Sequence, residues 1–246
     1  MSTYGQPPAA SPLPGDMADA LDAVRHRLGG LAGDVRYFAS IGSTNDIAAA
    51  MEAREGTVVC ADEQTAGRGR RGRVWLSPAG AGLYVSVVLA PRRSVDPARA
   101  TTLLTLAAGV GLCEAIATAT ALPVEIKWPN DLLVGRRKLA GILAEAVGAA
   151  GRIETVVLGY GINVGPMAYP PELADRATSL EVELGRPVDR ARLLAQTLAG
   201  LAARYGDLLA GRFDAILDAW RARAPQSRGA GVSWQAASGP LTGITA

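Results

Sequence analysis

Glu63-Gln64-Thr65-Ala66-Gly67-Arg68-Gly69-Arg70-Arg71-Gly72-Arg73-Val74-Trp75 sets three glycines among four arginines and closes on a tryptophan. Glycine allows close backbone approach and positive φ, and arginine presents a rigid planar fork of donors that matches carboxylates and phosphates, so the segment is suited to wrap an anion. Between Gly67 and Arg73 only the arginine stems offer apolar contact, which predicts a loop that orders when a ligand arrives. Arg-Gly runs also occur in tails that bind RNA without specificity. Here the run occurs once, between the strand-like segments Thr57 to Ala61 and Leu83 to Leu89, which puts it inside a folded domain. It has no Gly-Lys-Ser or Gly-Lys-Thr ending, and its glycines open no helix, which sets aside Walker and dinucleotide-binding loops.

Working outward, Met17, Leu21, Val24 and Leu28 fall at helical spacing before Gly29-Gly30, and Val35 to Ile41 reads as a strand. Ser43 is placed to cap a helix running to about Arg54, with Asn45 and Asp46 in its first turn. Beyond the arginine loop come the strand Leu83 to Leu89, a helix from Pro97 to Ala119 and a strand from Val124 to Lys127. A hairpin joins Asp131 to Val134 with Lys138 to Val147 around Gly135-Arg136-Arg137, and a turn near Gly148 to Gly151 leads to a strand from Ile153 to Val164. Helices over Arg190 to Ala210 and Phe213 to Arg223 follow. Hairpins with one crossover helix predict an α+β fold with a mixed, largely antiparallel sheet flanked by helices.

At 246 residues, 49% apolar and 20% charged, the chain can bury a full core and hold one large domain plus a small one. Lys+Arg 25 against Asp+Glu 23 gives a net charge of only +2, so the arginines are a local feature that favours a small anionic ligand over nucleic acid. Cys60 and Cys113 lie in apolar stretches, and His26 is the single histidine, in a polar stretch expected at the surface. Neither a zinc site nor a histidine-based triad is therefore expected. Residues 1–15 carry neither a basic nor an apolar core of a signal peptide and are expected to be a disordered lead. Ala100 to Pro123 has Glu114 as its sole charge and the length of a membrane span, but its Thr, Ala and Gly content favours a buried core helix.

Two further segments carry chemistry. In Thr155 to Asn163, Val156, Leu158, Tyr160 and Ile162 share one face, while Val157, Gly159, Gly161 and Asn163 share the other, which is nearly stripped of side chains. A flat ligand or a closely packed element could fill it, and Asn163 at its end favours a ligand. Ile126-Lys127-Trp128-Pro129-Asn130-Asp131 fixes a lysine at a strand end ahead of an extended Trp-Pro and an Asn-Asp turn.

The strings Gln-Thr-Ala-Gly-Arg-Gly-Arg-Arg-Gly-Arg-Val-Trp (Gln64 to Trp75), Lys-Trp-Pro-Asn-Asp (Lys127 to Asp131), Lys-Leu-Ala-Gly-Ile (Lys138 to Ile142) and Gly-Tyr-Gly-Ile-Asn (Gly159 to Asn163), with Ser43-Thr44-Asn45 ahead of them, resemble the biotin protein ligases. The resemblance runs from roughly Val35 to Trp220 and implies the catalytic fold shared with lipoate ligases and class II aminoacyl-tRNA synthetases. It implies a two-step reaction: biotin and ATP give biotinyl-5′-adenylate, and a lysine of a biotin carboxyl carrier protein then takes the biotinyl group. Lys127 would bridge biotin and the activated phosphate, with Arg70 beside it in catalysis. Ser43, Thr44, Asn45 and Gln64 would hold the ureido ring over Gly159 and Gly161, and Arg68, Gly69 and Arg70 would close over the carboxylate. ATP would meet Arg68, Arg70, Arg73, Lys127, Asn130 and Asn163, with Trp75 stacking on adenine. No fixed metal ligand is assigned; magnesium would come with ATP, near Asn130 and Asp131.

The resemblance further implies a cytoplasmic enzyme whose partner is a carboxylase carrier domain, with a homodimer compatible and neither DNA nor membrane engaged. Fewer than about forty residues precede the first core strand, too few for the winged helix-turn-helix of the family's repressors. The expected division is 1–15 lead, 16–223 catalytic domain and 224–246 a truncated β-barrel-like segment. Ligation of lipoate or octanoate on the same fold, or adenylate binding without turnover, stand as alternatives.

Overall fold

In the computed structural model, which describes residues 9–51, 53–149, 152–227, 229, 231–236 and 239–244, the short apolar segments join into one seven-stranded sheet. Strands β1 (Val35–Ile41), β2 (Val58–Gln64), β3 (Gly82–Leu89), β4 (Glu125–Lys127), β5 (Asp131–Val134), β6 (Arg137–Ala149) and β7 (Arg152–Asn163) lie in the order β1-β2-β3-β7-β6-β5-β4. Only β1 and β2 are parallel; every other neighbouring pair is antiparallel. Parallel strands need a crossover. The helix that follows Ser43 supplies it and lands on one face of the sheet.

Nine-residue α1 (Gly15–Ala23), α2 (Thr44–Ala50), α3 (Pro97–Thr120), α4 (Pro171–Ala174), α5 (Leu180–Leu184), α6 (Arg190–Leu209) and α7 (Phe213–Arg223) complete the layers. The period-two alternation of the strands sorts side chains between two cores. Leu83, Val85, Val87, Leu158, Tyr160 and Ile162 face α1, α3 and α6, while Phe38, Ile41, Val59, Val88 and Val157 form a smaller cluster under Ala48 of α2. α3 is long and apolar enough to cross a membrane, yet most of it is buried within the fold, as a core helix should be. Asp96 caps it by accepting from the Arg99 amide at 3.0 Å, and Ala121 ends it in the left-handed conformation.

Three local expectations change. The helix after Ser43 ends at Ala50 and not near Arg54, and the Ser43 hydroxyl makes no capping hydrogen bond although the residue occupies the cap position. The turn expected at 148–151 falls partly on residues 150 and 151, outside the described residues; its flanks pair Gly148 with Ile153 and Ala149 with Arg152. The lead expected to be disordered is docked where it is described: the Ser11 amide donates to the Tyr37 carbonyl at 2.8 Å, Leu13 packs on the helix-side core and α1 begins at Gly15. Its first eight residues lie outside the described residues. Removing residues 1–14 should therefore lower Tm by about 3 °C, the cost of roughly 1 kcal/mol of apolar contact and one edge hydrogen bond; an unchanged melting curve would show the contact to be worthless. At the other end, β8 (Gly231–Ala236) and β9 (Gly239–Ile244) pair as an antiparallel hairpin separate from the main sheet, where the barrel-like segment was expected.

Candidate functional site

The site grows on the α2 side of the sheet, where parallel β1 and β2 end together. Gln64 closes β2 and faces the first turn of α2: its Oε1 accepts from the Thr44 amide at 2.8 Å and from Thr44 Oγ1 at 3.1 Å, and its Nε2 donates to Ser77 Oγ at 2.9 Å. Ser86 of β3, fully buried in a valine-rich strand, donates to Asn45 Oδ1 at 2.6 Å and lies 2.8 Å from Thr44 Oγ1. Asn45 in turn donates to Glu145 Oε2 on β6 at 2.7 Å. Thr44, Asn45 and Ser77 are buried, so these partners answer the cost of placing uncharged polar groups away from water. Thr44, Asn45 and Gln64 are thus brought together as expected. Ser43 is buried beside them, but its hydroxyl bonds to nothing among the described residues.

The arginine loop is ordered by its own backbone, unlike the ligand-dependent loop its composition suggests. The Trp75 amide donates to Gly67 O at 2.8 Å and the Gly69 amide to Arg73 O at 2.7 Å, closing a hairpin whose tip places Arg71 at φ 58° and Gly72 at φ 72°. Its side chains anchor it at both ends. Arg68 Nη2 reaches Asp46 Oδ1 at 2.7 Å and Glu145 Oε2 at 2.6 Å, and Arg70 Nη1 donates to Asn130 Oδ1 at 3.2 Å. Asn130 is itself fixed by donating to Ile142 O at 2.8 Å.

The bare face of β7 is covered by the protein itself. A Cβ at Gly159 would lie 2.1 Å from Asn45 Oδ1, and one at Gly161 would lie 2.4 Å from Trp75 Nε1. Both positions need glycine because another part of the chain packs flat on their backbone. The open floor expected for a ligand's fused rings is instead the seat of Asn45 and of the indole. That seat leaves Trp75 Nε1 buried and without a partner among the described residues, while Lys138 Nζ lies 5.1 Å from the ring centroid. Gly159→Ala should cost about 2 kcal/mol in denaturant unfolding, because Asn45 is held by Ser86 and Glu145 and cannot yield to a methyl group; a change below about 0.5 kcal/mol would contradict that rigidity.

Lys127 ends β4. Ile126 turns toward Gly109 of α3, so alternation puts the exposed Lys127 side chain on the α2 side, above its cross-strand partner Asp131. Among the described residues Lys127, Arg71 and Arg73 have no ion pair, and Arg70 has only the neutral Asn130. Asp131 is taken by Lys138 at 2.6 Å. The result is a local excess of positive charge in a nearly neutral chain. Asn163 is buried and its Nδ2 donates to Thr178 O at 2.9 Å, so one of its two N–H bonds secures the 176–178 segment. Cys60 and Cys113 are free thiols that burial pushes up to about 12, removing them as nucleophiles near neutral pH. Among the described residues no group of three His, Cys, Asp or Glu converges to hold a metal.

The family model for the biotin/lipoate A/B protein ligases matches residues 37–163, from β1 through the end of β7. The chain belongs to this family. It is 41% identical over 174 residues to the bifunctional ligase/repressor BirA of Bacillus subtilis, covering 70% of this chain and 53% of that protein. It is 42% identical over 175 residues to the biotin--[acetyl-CoA-carboxylase] ligase of Mycobacterium tuberculosis, covering 68% of this chain and 62% of that one. The chain therefore spans about half the length of the first of these relatives. Among solved structures, biotin protein ligase from Aquifex aeolicus in complex with biotin and ATP superposes with a TM-score of 0.74 at 30% identity, over 86% of each chain.

Within the family's matched segment lie all the residues just described except the carbonyl of Thr178. Sequence reading missed Ser86, Ser77 and Glu145, took Asp46 only as a first-turn residue and Lys138 only as part of a motif. The available signals were a serine inside the apolar run of β3 and a glutamate on the inward face of β6, neither of which shares a local motif with its partners.

Proposed function

We propose that the chain is an ATP-dependent ligase that forms biotinyl-5′-adenylate and passes the biotinyl group to a lysine of the biotin carboxyl carrier protein of an acetyl-CoA or related carboxylase. The observation that carries this reading is the meeting, on one face of the sheet, of cations without carboxylate partners (Lys127, Arg70) and a neutral polar pocket of Thr44, Asn45 and Gln64. The likeness to a ligase solved with biotin and ATP supports it.

The chemistry asks for that arrangement. A biotin carboxylate oxygen attacks the α-phosphorus of ATP, the bond to the β-bridging oxygen breaks and pyrophosphate leaves, so two anions must approach and negative charge gathers on the phosphates. Lys127 supplies a compact charge between them and Arg70 a fork over the phosphate. The carrier lysine, as a free amine, then attacks the acyl carbon, AMP departs with the bonding pair and the amine loses a proton. The uncharged donors and acceptors around Gln64 suit a ureido ring, and Trp75 offers an aromatic face for adenine. Asn130 Oδ1 already accepts from Arg70 and Asp131 Oδ1 pairs with Lys138, and a magnesium ion brought near them by the nucleotide would compete for those oxygens. Magnesium enters this reading only as part of the nucleotide substrate.

Buried free thiols suit a reducing compartment such as the cytoplasm. From Leu143 to Ala149 the outer edge of β6 pairs with no strand among the described residues, an edge on which a second copy or a carrier strand can add. The test offers purified protein ATP, magnesium and either biotin, lipoate or octanoate, follows pyrophosphate, and then adds a biotin carrier domain for mass analysis. Release with biotin alone and one biotinyl group on the carrier are expected. Release with lipoate or octanoate would reassign the substrate, and release with none would leave an adenylate-binding module.

A further inference from the structure

We infer that Glu145 is a positioning residue of the ligase site, holding Arg68 and Asn45 at a fixed separation so that the arginine loop and the neutral pocket meet the two ends of one ligand. This rests on the ligase reading above. Glu145 lies in the middle of β6, in register with Val157 of β7 and on the same face as α2. Its Oε2 accepts from Asn45 Nδ2 at 2.7 Å and from Arg68 Nη2 at 2.6 Å. Asp46 Oδ1 forms an ion pair with the same Nη2 at 2.7 Å, while Nε and Nη1 have no partner among the described residues. Arg68 is therefore anchored by one arm with the rest of its fork left for another carboxylate.

The other tie runs inward. Asn45 covers Gly159 and receives a hydrogen bond from Ser86, which touches Thr44, which bonds Gln64. One carboxylate thus connects a carboxylate-seeking fork to a pocket of uncharged hydrogen-bonding groups. As an isolated ion pair, Glu145–Arg68 would contribute little, since both side chains are partly solvated. Its consequence is geometric: without Glu145, Arg68 keeps only Asp46 and loses its link to Asn45, so its fork could swing away from the pocket.

Glu145→Gln retains an oxygen to accept from Asn45 and removes the charge that holds Arg68. We expect KM for biotin to rise roughly tenfold with kcat for adenylate formation within about twofold, the pattern of lost ground-state positioning. Trypsin should nick the arginine loop of the biotin-free variant faster than that of the parent, a change that mere loss of packing elsewhere would not confine to this loop. In an Arg68→Gln background the Glu145 change should add nothing, because it acts through Arg68. Glu154→Gln, an exposed change on β7, is the control and should alter neither reading. Unchanged KM and unchanged nicking in Glu145→Gln, or a KM rise that adds fully to that of Arg68→Gln, would overturn the inference. If Glu145→Gln does not fold, Asp46→Asn reports on the same tether: slower release of the loop to trypsin, or no change, would count against it. A parent protein that ignores biotin would instead remove the ligase reading, while the trypsin comparison still decides whether the tether exists.

Discussion

Lys127→Gln is expected to abolish biotin-dependent pyrophosphate release, a loss of at least roughly a thousandfold, or about 4 kcal/mol of transition-state stabilisation. The side chain is exposed at the end of β4 and has no ion pair or hydrogen bond among the described residues, so its removal takes nothing from the core. Glutamine keeps a hydrogen-bond donor on a side chain one atom shorter and removes the charge. The energy is needed where the incoming carboxylate and the α-phosphate meet, and a neutral amide cannot offset that repulsion. Unpaired placement matters in the same way: a lysine already bonded to a carboxylate would have to give up that partner first. Tm within about 1 °C of the parent is expected, as for a surface change away from caps and core. Near-normal release by a folded Lys127→Gln protein would remove the mechanism.

Arg70→Gly should fail differently. Arg70 is exposed on the hairpin tip and reaches back to Asn130 Oδ1 at 3.2 Å, a side-chain bond that ties the tip across to the segment following Lys127. Without it the loop keeps its backbone pairs, Gly67 with Trp75 and Gly69 with Arg73, but loses its crossing latch and one fork of donors. The adenylate is an activated acyl phosphate that water and stray amines attack, so holding it in a closed, dry site is a task separate from making it. The variant is expected to consume ATP with biotin, release biotinyl-adenylate, and raise the ratio of free adenylate to biotinylated carrier by about tenfold or more. Labelling of unrelated proteins added to the assay is the second readout. An unchanged ratio, or loss of both steps together, would sink the lid interpretation.

Much of this architecture is legible in the chain. The alternation in Thr155 to Asn163 assigned both faces of β7 correctly, because a strand's two-residue period is local and each face buries against a different layer. The apolar run of α3 and the turn at Gly135 were equally local. What the sequence hid is tertiary. Gly159 and Gly161 announced that something packs on them, but which element does so depends on where α2 and the loop dock, and the answer is Asn45 and Trp75. Asn163 carried the right residue type for a ligand contact and was diverted to Thr178 by a segment folding beside it. Glu145 is a hundred positions from its partner Asn45, with nothing nearby to mark it. Ser11 and Leu13 lacked a periodic apolar face, yet the exposed edge of β1 gave the backbone a partner. Propensity cannot register a contact that the other element must first create.

The central claim is that this chain activates biotin as an adenylate, and the direct measurement is exchange of labelled pyrophosphate into ATP with no carrier protein present, since only a reversible adenylation returns the label. The account predicts exchange that requires biotin, saturates with it and vanishes in Lys127→Gln. Exchange that proceeds equally without biotin, or no exchange by the folded parent protein at any biotin concentration, would contradict it.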